Sequence, residues 1–178
     1  MKLKLPKTYK LLLALCVVAG PFTWLVLTED GKRRSDLFLL HLLGHQPFNL
    51  AVANLRPGLD KDVLLGQFPR LAFHCLEAPT ELGERHCEAR IGSFNGIPAR
   101  QAQLDWKDDA LTAVRIDYRG RWHEVLIEAM TMRLGAPRRD RVDERTILAW
   151  RLDEGMLLAP EQLIDEEPPV LIWIAQQD

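Results

Sequence analysis

The run Leu111-Thr-Ala-Val-Arg-Ile-Asp-Tyr-Arg-Gly-Arg-Trp-His-Glu-Val-Leu-Ile-Glu-Ala-Met-Thr-Met-Arg-Leu134 changes its apolar period part-way along, and that change decides the fold class. Over Leu111 to Tyr118, Val114, Ile116 and Tyr118 alternate with Ala113, Arg115 and Asp117, which is the two-residue period of a half-buried strand. From Arg121 onward Trp122, Val125, Leu126, Ala129, Met130 and Leu134 recur at helical spacing. Gly135 and Pro137 stop that helix.

The neighbouring segments extend the same grammar. Upstream, Arg70 to Leu76, Cys87 to Ser93 and Ala99 to Trp106 read as strands, with Asn95-Gly96 and Asp108-Asp109 as turns. Farther upstream a short helix starts near Asp60 and stops at Gly66, with Leu59, Val63 and Leu64 on one face. Downstream, the charged stretch Arg138 to Arg145 reads as a solvated loop after the helix. Then come Thr146 to Leu152, a turn at Asp153-Glu-Gly155, Met156 to Ala159, the stiff acidic linker Asp165-Glu-Glu-Pro-Pro169 and Val170 to Ala175. The order helix, sheet, helix, sheet predicts an α+β domain: an antiparallel sheet covered by short helices. Trp106, Trp122, Trp150 and Trp173 fall inside these elements and are expected in the core, any exposed one being an interface anchor.

Cys75 and Cys87 flank a turn marked by Pro79 and Gly83, so they can face each other across a hairpin at a separation a disulfide closes. Each is preceded by a histidine, His74 and His86, which also raises a His2Cys2 metal site. Strand side chains alternate faces, however, so the histidines would point away from the cysteines. Geometry favours the disulfide over the metal site and over unpaired thiols. No Cys-x-x-Cys is present, which removes support for thioredoxin-type chemistry and haem attachment.

Between Lys10 and Glu29 lies an uncharged stretch, Leu11 to Thr28. At about 1.5 Å per helical residue it nearly matches a hydrocarbon core of about 30 Å, and flanking lysines can snorkel. A transmembrane helix is therefore expected within residues 1–34, with 35–54 as a juxtamembrane linker and 55–178 as the folded domain. Ser35 to Gly44 reads as an extension of the membrane helix capped by Gly44. Cleavage as a signal peptide after Ala19 is the rival, although Pro21 follows at once and the apolar run Phe22 to Leu27 would be left behind. Cys16 stands at the place of a lipoprotein cysteine, in Leu-Ala-Leu-Cys, but the preceding Leu15 is large for such a site.

The chain has 178 residues, 47% hydrophobic and 27% charged, which excludes disorder, collagen-like repeats and a small disulfide scaffold. A formal net charge of −2 argues against nucleic acid as a partner. Seven basic against two acidic residues lie in 1–34, giving +5 there and leaving −7 for 35–178. The positive-inside rule then puts the N-terminus in the cytoplasm and residues 35–178 across a bacterial inner membrane, in the periplasm, where a disulfide persists.

Pro57-Gly58 before a short helix with Val63, then a meander, then a helix ending Leu134-Gly135-Ala-Pro137, resembles the SmpA/BamE and β-lactamase-inhibitor-like group of small envelope domains. The resemblance covers about residues 55 to 176. It implies helices packed on an antiparallel sheet and a non-enzymatic role in envelope assembly or protein binding. The chain departs from that group in lacking a lipoprotein cysteine.

No Gly-x-Ser-x-Gly, His-Glu-x-x-His or phosphate-binding glycine loop occurs, so no enzyme, cofactor or metal centre is expected. His123-Glu124 is the best general-base candidate, with a solvated surface histidine the stronger reading. Candidate interface residues are Arg138, Arg139 and Arg141, which suit an acidic partner or a lipid head group, Trp122, and Phe94 with Ile97 at a turn that is either buried or a docking knob. The sequence thus predicts a membrane-anchored periplasmic protein-binding or structural subunit of an envelope complex. The alternative is a periplasmic metal-handling protein or enzyme using His74 and His86.

Overall fold

The computed structural model describes residues 6–42, 46–164 and 167–176. The chain divides between Leu42 and Leu43 into a helical unit and a sheet unit.

In the helical unit α1 spans Lys7–Leu27 and α2 spans Glu29–Leu42. Thr8–Leu27 is long and apolar enough to cross a membrane, with a mean hydropathy of 2.0. The helix does not simply run on through residue 42 as the sequence suggested. Thr28 adopts an extended conformation, φ −98° and ψ 148°, and serves both helices. Its N–H donates to Trp24 O at 3.1 Å, ending α1, while its hydroxyl oxygen accepts from the Gly31 N–H at 3.0 Å and caps α2. Gly44, expected to cap the extension, lies outside the described residues.

The sheet unit opens with β1 (Pro47–Phe48) and α3 (Lys61–Gly66), then β2 (His74–Leu76), β3 (Arg85–Arg90), β4 (Ser93–Phe94), β5 (Ile97–Lys107) and β6 (Ala110–Tyr118). Helix α4 (His123–Leu134) follows, then β7 (Arg138–Val142), β8 (Arg145–Leu152), β9 (Gly155–Pro160) and β10 (Val170–Ala175). Spatially the strands run β2-β3-β5-β6-β10-β9-β8-β7, antiparallel throughout, and the short β1–β4 pair joins the start of β5. The chain is therefore α+β with a mostly antiparallel sheet. The β5–β6 turn works because Asp108 and Asp109 both take positive φ, 50° and 62°, which matches the right-handed twist of a two-residue hairpin.

One face of the sheet carries the core. Leu104 and Trp106 of β5, Val114, Ile116 and Tyr118 of β6, Leu171 and Trp173 of β10, Leu157 of β9 and Leu148 and Trp150 of β8 join Leu126 and Met130 of α4 in one buried cluster. All four tryptophans expected in the core are buried. Gly135, at φ 88°, ends α4 and exposes a carbonyl that accepts from Trp150 Nε1 at 3.0 Å, which ties the helix to β8. Gly155 has no room for a Cβ, because one would sit 2.5 Å from Ile174 O and 2.7 Å from Trp173 Nε1.

Four expectations need correction. Arg138–Val142, read as part of a solvated loop, is the edge strand β7; its first four side chains are all charged, so no alternation announces it. Val63 is exposed, while Leu64 faces inward. The expected strand Arg70–Leu76 contracts to its last three residues. Residues 46–54 are not a linker: Phe48, Leu50 and Val52 are buried, so the domain starts upstream of residue 55. Asn95 fastens this arm, its side chain accepting from Leu50 N–H at 2.9 Å and donating to Leu50 O at 2.8 Å.

Candidate functional site

Because the core occupies one face, the other face of the sheet is where a site can form. Register fixes its rows: Glu88, Gln103, Arg115, Ile172, Leu158 and Ala149 lie on one rung, and His86, Asp105, Ala113, Ile174 and Met156 on the next. The face therefore divides in two. Over β3, β5 and β6 it is polar; over β10 and β9 it is apolar, continued by Ile147 and Ala149 of β8, with Arg145 and Arg151 at the two ends of that strand.

In the polar half Gln101 Nε2 donates to Glu88 at 2.9 Å and Arg115 Nε to Asp117 at 3.1 Å. Asp105 is fully buried, and Gln103 Nε2 donates to both of its carboxylate oxygens, at 3.0 and 3.2 Å. The Thr80–Gly83 turn closes over this region, with the Thr112 hydroxyl sharing its one proton between Leu82 O and Asp105 O. Burial pushes the Asp105 carboxyl above its ordinary range, against the opposing pull of the Gln103 bond and the nearby His86. A carboxyl held up in this way weakens the folded state once it ionises, and the penalty fades as pH falls through the raised pKa toward the unfolded value. Asp105→Asn is therefore expected to raise the urea midpoint at pH 7, with the gain shrinking progressively in titrations carried down to pH 4. A loss of stability at pH 7 would show that the ionised carboxylate is favourable there.

In the apolar half Ile147, Leu158, Val170 and Ile172 line a groove of about 420 Å³, flanked by Leu163 and Ile164 and by Pro168 and Pro169. Arg145 and Glu167 close one side with a two-pronged ion pair at 2.7 and 3.1 Å. That pair lowers the Glu167 carboxyl below its ordinary range. It is solvent-exposed and holds shape more than it adds stability.

The expected site residues are scattered. Cys75 and Cys87 sit opposite each other on neighbouring strands, Cα atoms 3.9 Å apart, and are disulfide-bonded. That bond withdraws both sulfurs from the His2Cys2 alternative. His86 turns to the outer face, as alternation requires, with Nε2 3.8 Å from Glu88; its Nδ1 is buried with no hydrogen-bond partner among the described residues. His74 is exposed on β2. No group of three or more His, Cys, Asp or Glu that could hold a metal occurs among the described residues.

His123 is not a solvated surface histidine. It is buried, with Nδ1 2.7 Å from the Tyr118 hydroxyl and Nε2 3.2 Å from Glu161 O, so both ring nitrogens are engaged in structure. Burial also raises the Tyr118 phenol above its ordinary pKa, which keeps it a neutral hydrogen-bonding group.

Phe94, Ile97 and Trp122 also differ from their interface reading. All three are buried, and the turn at Asn95-Gly96 is a corner packed into the domain, with Phe94 against Phe48. Arg138 and Arg139 are exposed on β7, bonded to Asp140 and Glu161 respectively, and Arg141 is exposed on the same strand. No family model, curated protein or solved structure matches this chain.

Proposed function

We propose that this chain is a non-enzymatic, single-pass protein of the bacterial inner membrane whose sheet domain lies in the periplasm and binds a partner protein of the envelope. The observation that carries the reading is the apolar half of the outer sheet face. The domain already has a complete core on its other face, yet Leu158, Ile172, Ile147 and Val170 remain around an open groove. A concave, mostly apolar groove with a few polar groups at its rim is a common form of binding site. The disulfide fits an oxidising compartment, the apolar α1 fits an anchor, and the resemblance to small envelope domains points the same way. The partner suited to the groove presents an extended apolar segment, with the Arg145–Glu167 pair fixing one side.

Photo-crosslinking in cells tests this. A crosslinker placed at residue 158 or 172 is expected to trap one discrete adduct, and none from residue 132, an exposed methionine of α4. The double variant Leu158→Gln/Ile172→Gln is expected to lose most of the co-purifying partner while retaining a cooperative unfolding transition. Equal adducts from all three positions would contradict the proposal.

The alternative, a periplasmic metal-handling protein or enzyme using His74 and His86, draws on one observation: the unpartnered buried Nδ1 of His86, on the rung shared with Asp105. Stoichiometric zinc or copper in the purified chain would favour it.

A further inference from the structure

Helix α2 follows the apolar helix after a single residue, and its surface is arranged around that neighbour. At about 100° per residue, Gly31, Ser35, Phe38 and Leu42 fall within about 60° of arc on one side of α2. Gly31 marks that side as the one against α1: a Cβ there would lie 2.6 Å from Leu25 Cα and closer still to the Trp24 carbonyl. Leu25, Arg34, Ser35, Phe38 and Leu39 line an open, largely apolar crook of about 570 Å³. Phe38 is 67% exposed and Leu42 is 68% exposed, so these two residues of the stripe are uncovered among the described residues. The Arg34 guanidinium sits 5.6 Å from the centre of the Trp24 ring and 3.2 Å from Asp30, at the margin of the stripe.

We infer that α2 lies along the bilayer leaflet from which α1 emerges, with Phe38, Leu39 and Leu42 seated among lipid glycerols and upper acyl chains. The inference rests on the reading of α1 as a membrane anchor. If α1 is surrounded by lipid, the side of α2 that touches α1 is the side that faces the bilayer, and that same side carries the uncovered apolar residues. A lipid surface is thus the occupant, by continuity with the span and by the amphipathic arrangement. The anchor becomes a span plus an in-plane helix, which fixes the height of the chain at the membrane surface.

Depth-dependent fluorescence quenching tests this in the full chain, reconstituted in vesicles of phosphatidylethanolamine and phosphatidylglycerol at about 3:1. One sample carries the dye on native Cys16; the others carry Cys16→Ser with Phe38→Cys or, as an aqueous control, Met132→Cys. The disulfide leaves Cys75 and Cys87 unlabelled. The expected result is quenching of the residue 38 dye several-fold more by a nitroxide at acyl carbon 5 than by aqueous iodide, with the Cys16 dye quenched most by a nitroxide at carbon 12 and the residue 132 dye by iodide alone. A residue 38 dye open to iodide, or shielded from both quenchers, overturns the inference while leaving the anchor intact. A Cys16 dye that no lipid nitroxide quenches overturns the anchor reading and the inference together.

Discussion

Replacing the disulfide by Cys75→Ser with Cys87→Ala is expected to cost about 3 kcal/mol of unfolding free energy, on the chain-entropy account of a loop this short. Alanine is the better choice at 87 because that side chain is buried, whereas Cys75 is exposed. The effect is large because little else holds β2: it is three residues long, all exposed, and among the described residues it pairs with β3 alone. Without the crosslink the His74–Leu76 segment and the turn beyond it lose their tether. Urea unfolding measured by tryptophan fluorescence checks this; at a slope of about 2 kcal/mol/M the midpoint falls by about 1.5 M. An unchanged midpoint would mean that the crosslink records the compartment and contributes nothing to stability.

Trp173→Ala is expected to be at least as damaging, at about 3–5 kcal/mol. Trp173 is fully buried on β10, between Val114 of β6 and Leu157 of β9, and Gly155 has given up its side chain to make room for the ring. Truncation opens a cavity at the centre of the sheet that backbone hydrogen bonding prevents from collapsing. Trp173→Phe separates shape from polarity. It keeps most of the ring and removes an indole N–H that has no hydrogen-bond partner among the described residues, so its cost is expected below about 1.5 kcal/mol. Thermal unfolding should rank the variants wild type, Phe, Ala in falling stability. Equal losses would place the importance of the residue in the indole nitrogen and contradict the packing account.

Where the sequence was legible, a period was visible. Strand β6 alternates, α4 repeats at helical spacing and ends at Gly135, and both are found where the pattern put them. Strand β7 was hidden because it is an edge: Arg138, Arg139, Asp140 and Arg141 leave no apolar face, and edge strands carry such charges to discourage pairing with other chains. The start of α2 was hidden because its only signal is Thr28, one capping residue inside an otherwise continuous helical pattern. Phe48 and Leu50 were missed because a two-residue strand has no measurable period.

The outer-face groove did leave a trace. Val170-Leu-Ile-Trp-Ile-Ala175 is apolar at every position, where a strand with one solvated face would alternate. Trp173 accounts for one face and Ile172 for the other. Asp105 left no trace, because its burial depends on pairing with β3 and on the Thr80–Gly83 turn, both remote in sequence.

The account turns on the sheet domain residing outside the reducing cytosol, and thiol alkylation in living cells tests that most directly. Cells are treated with a membrane-permeant maleimide of defined mass and denatured in its presence; half of the sample is then reduced and alkylated again with the same maleimide, and the adducts are counted by mass. The chain has three cysteines, so the account predicts one adduct, on Cys16, before reduction and three after it. Three adducts without reduction would show Cys75 and Cys87 as free thiols in the cell and contradict the account.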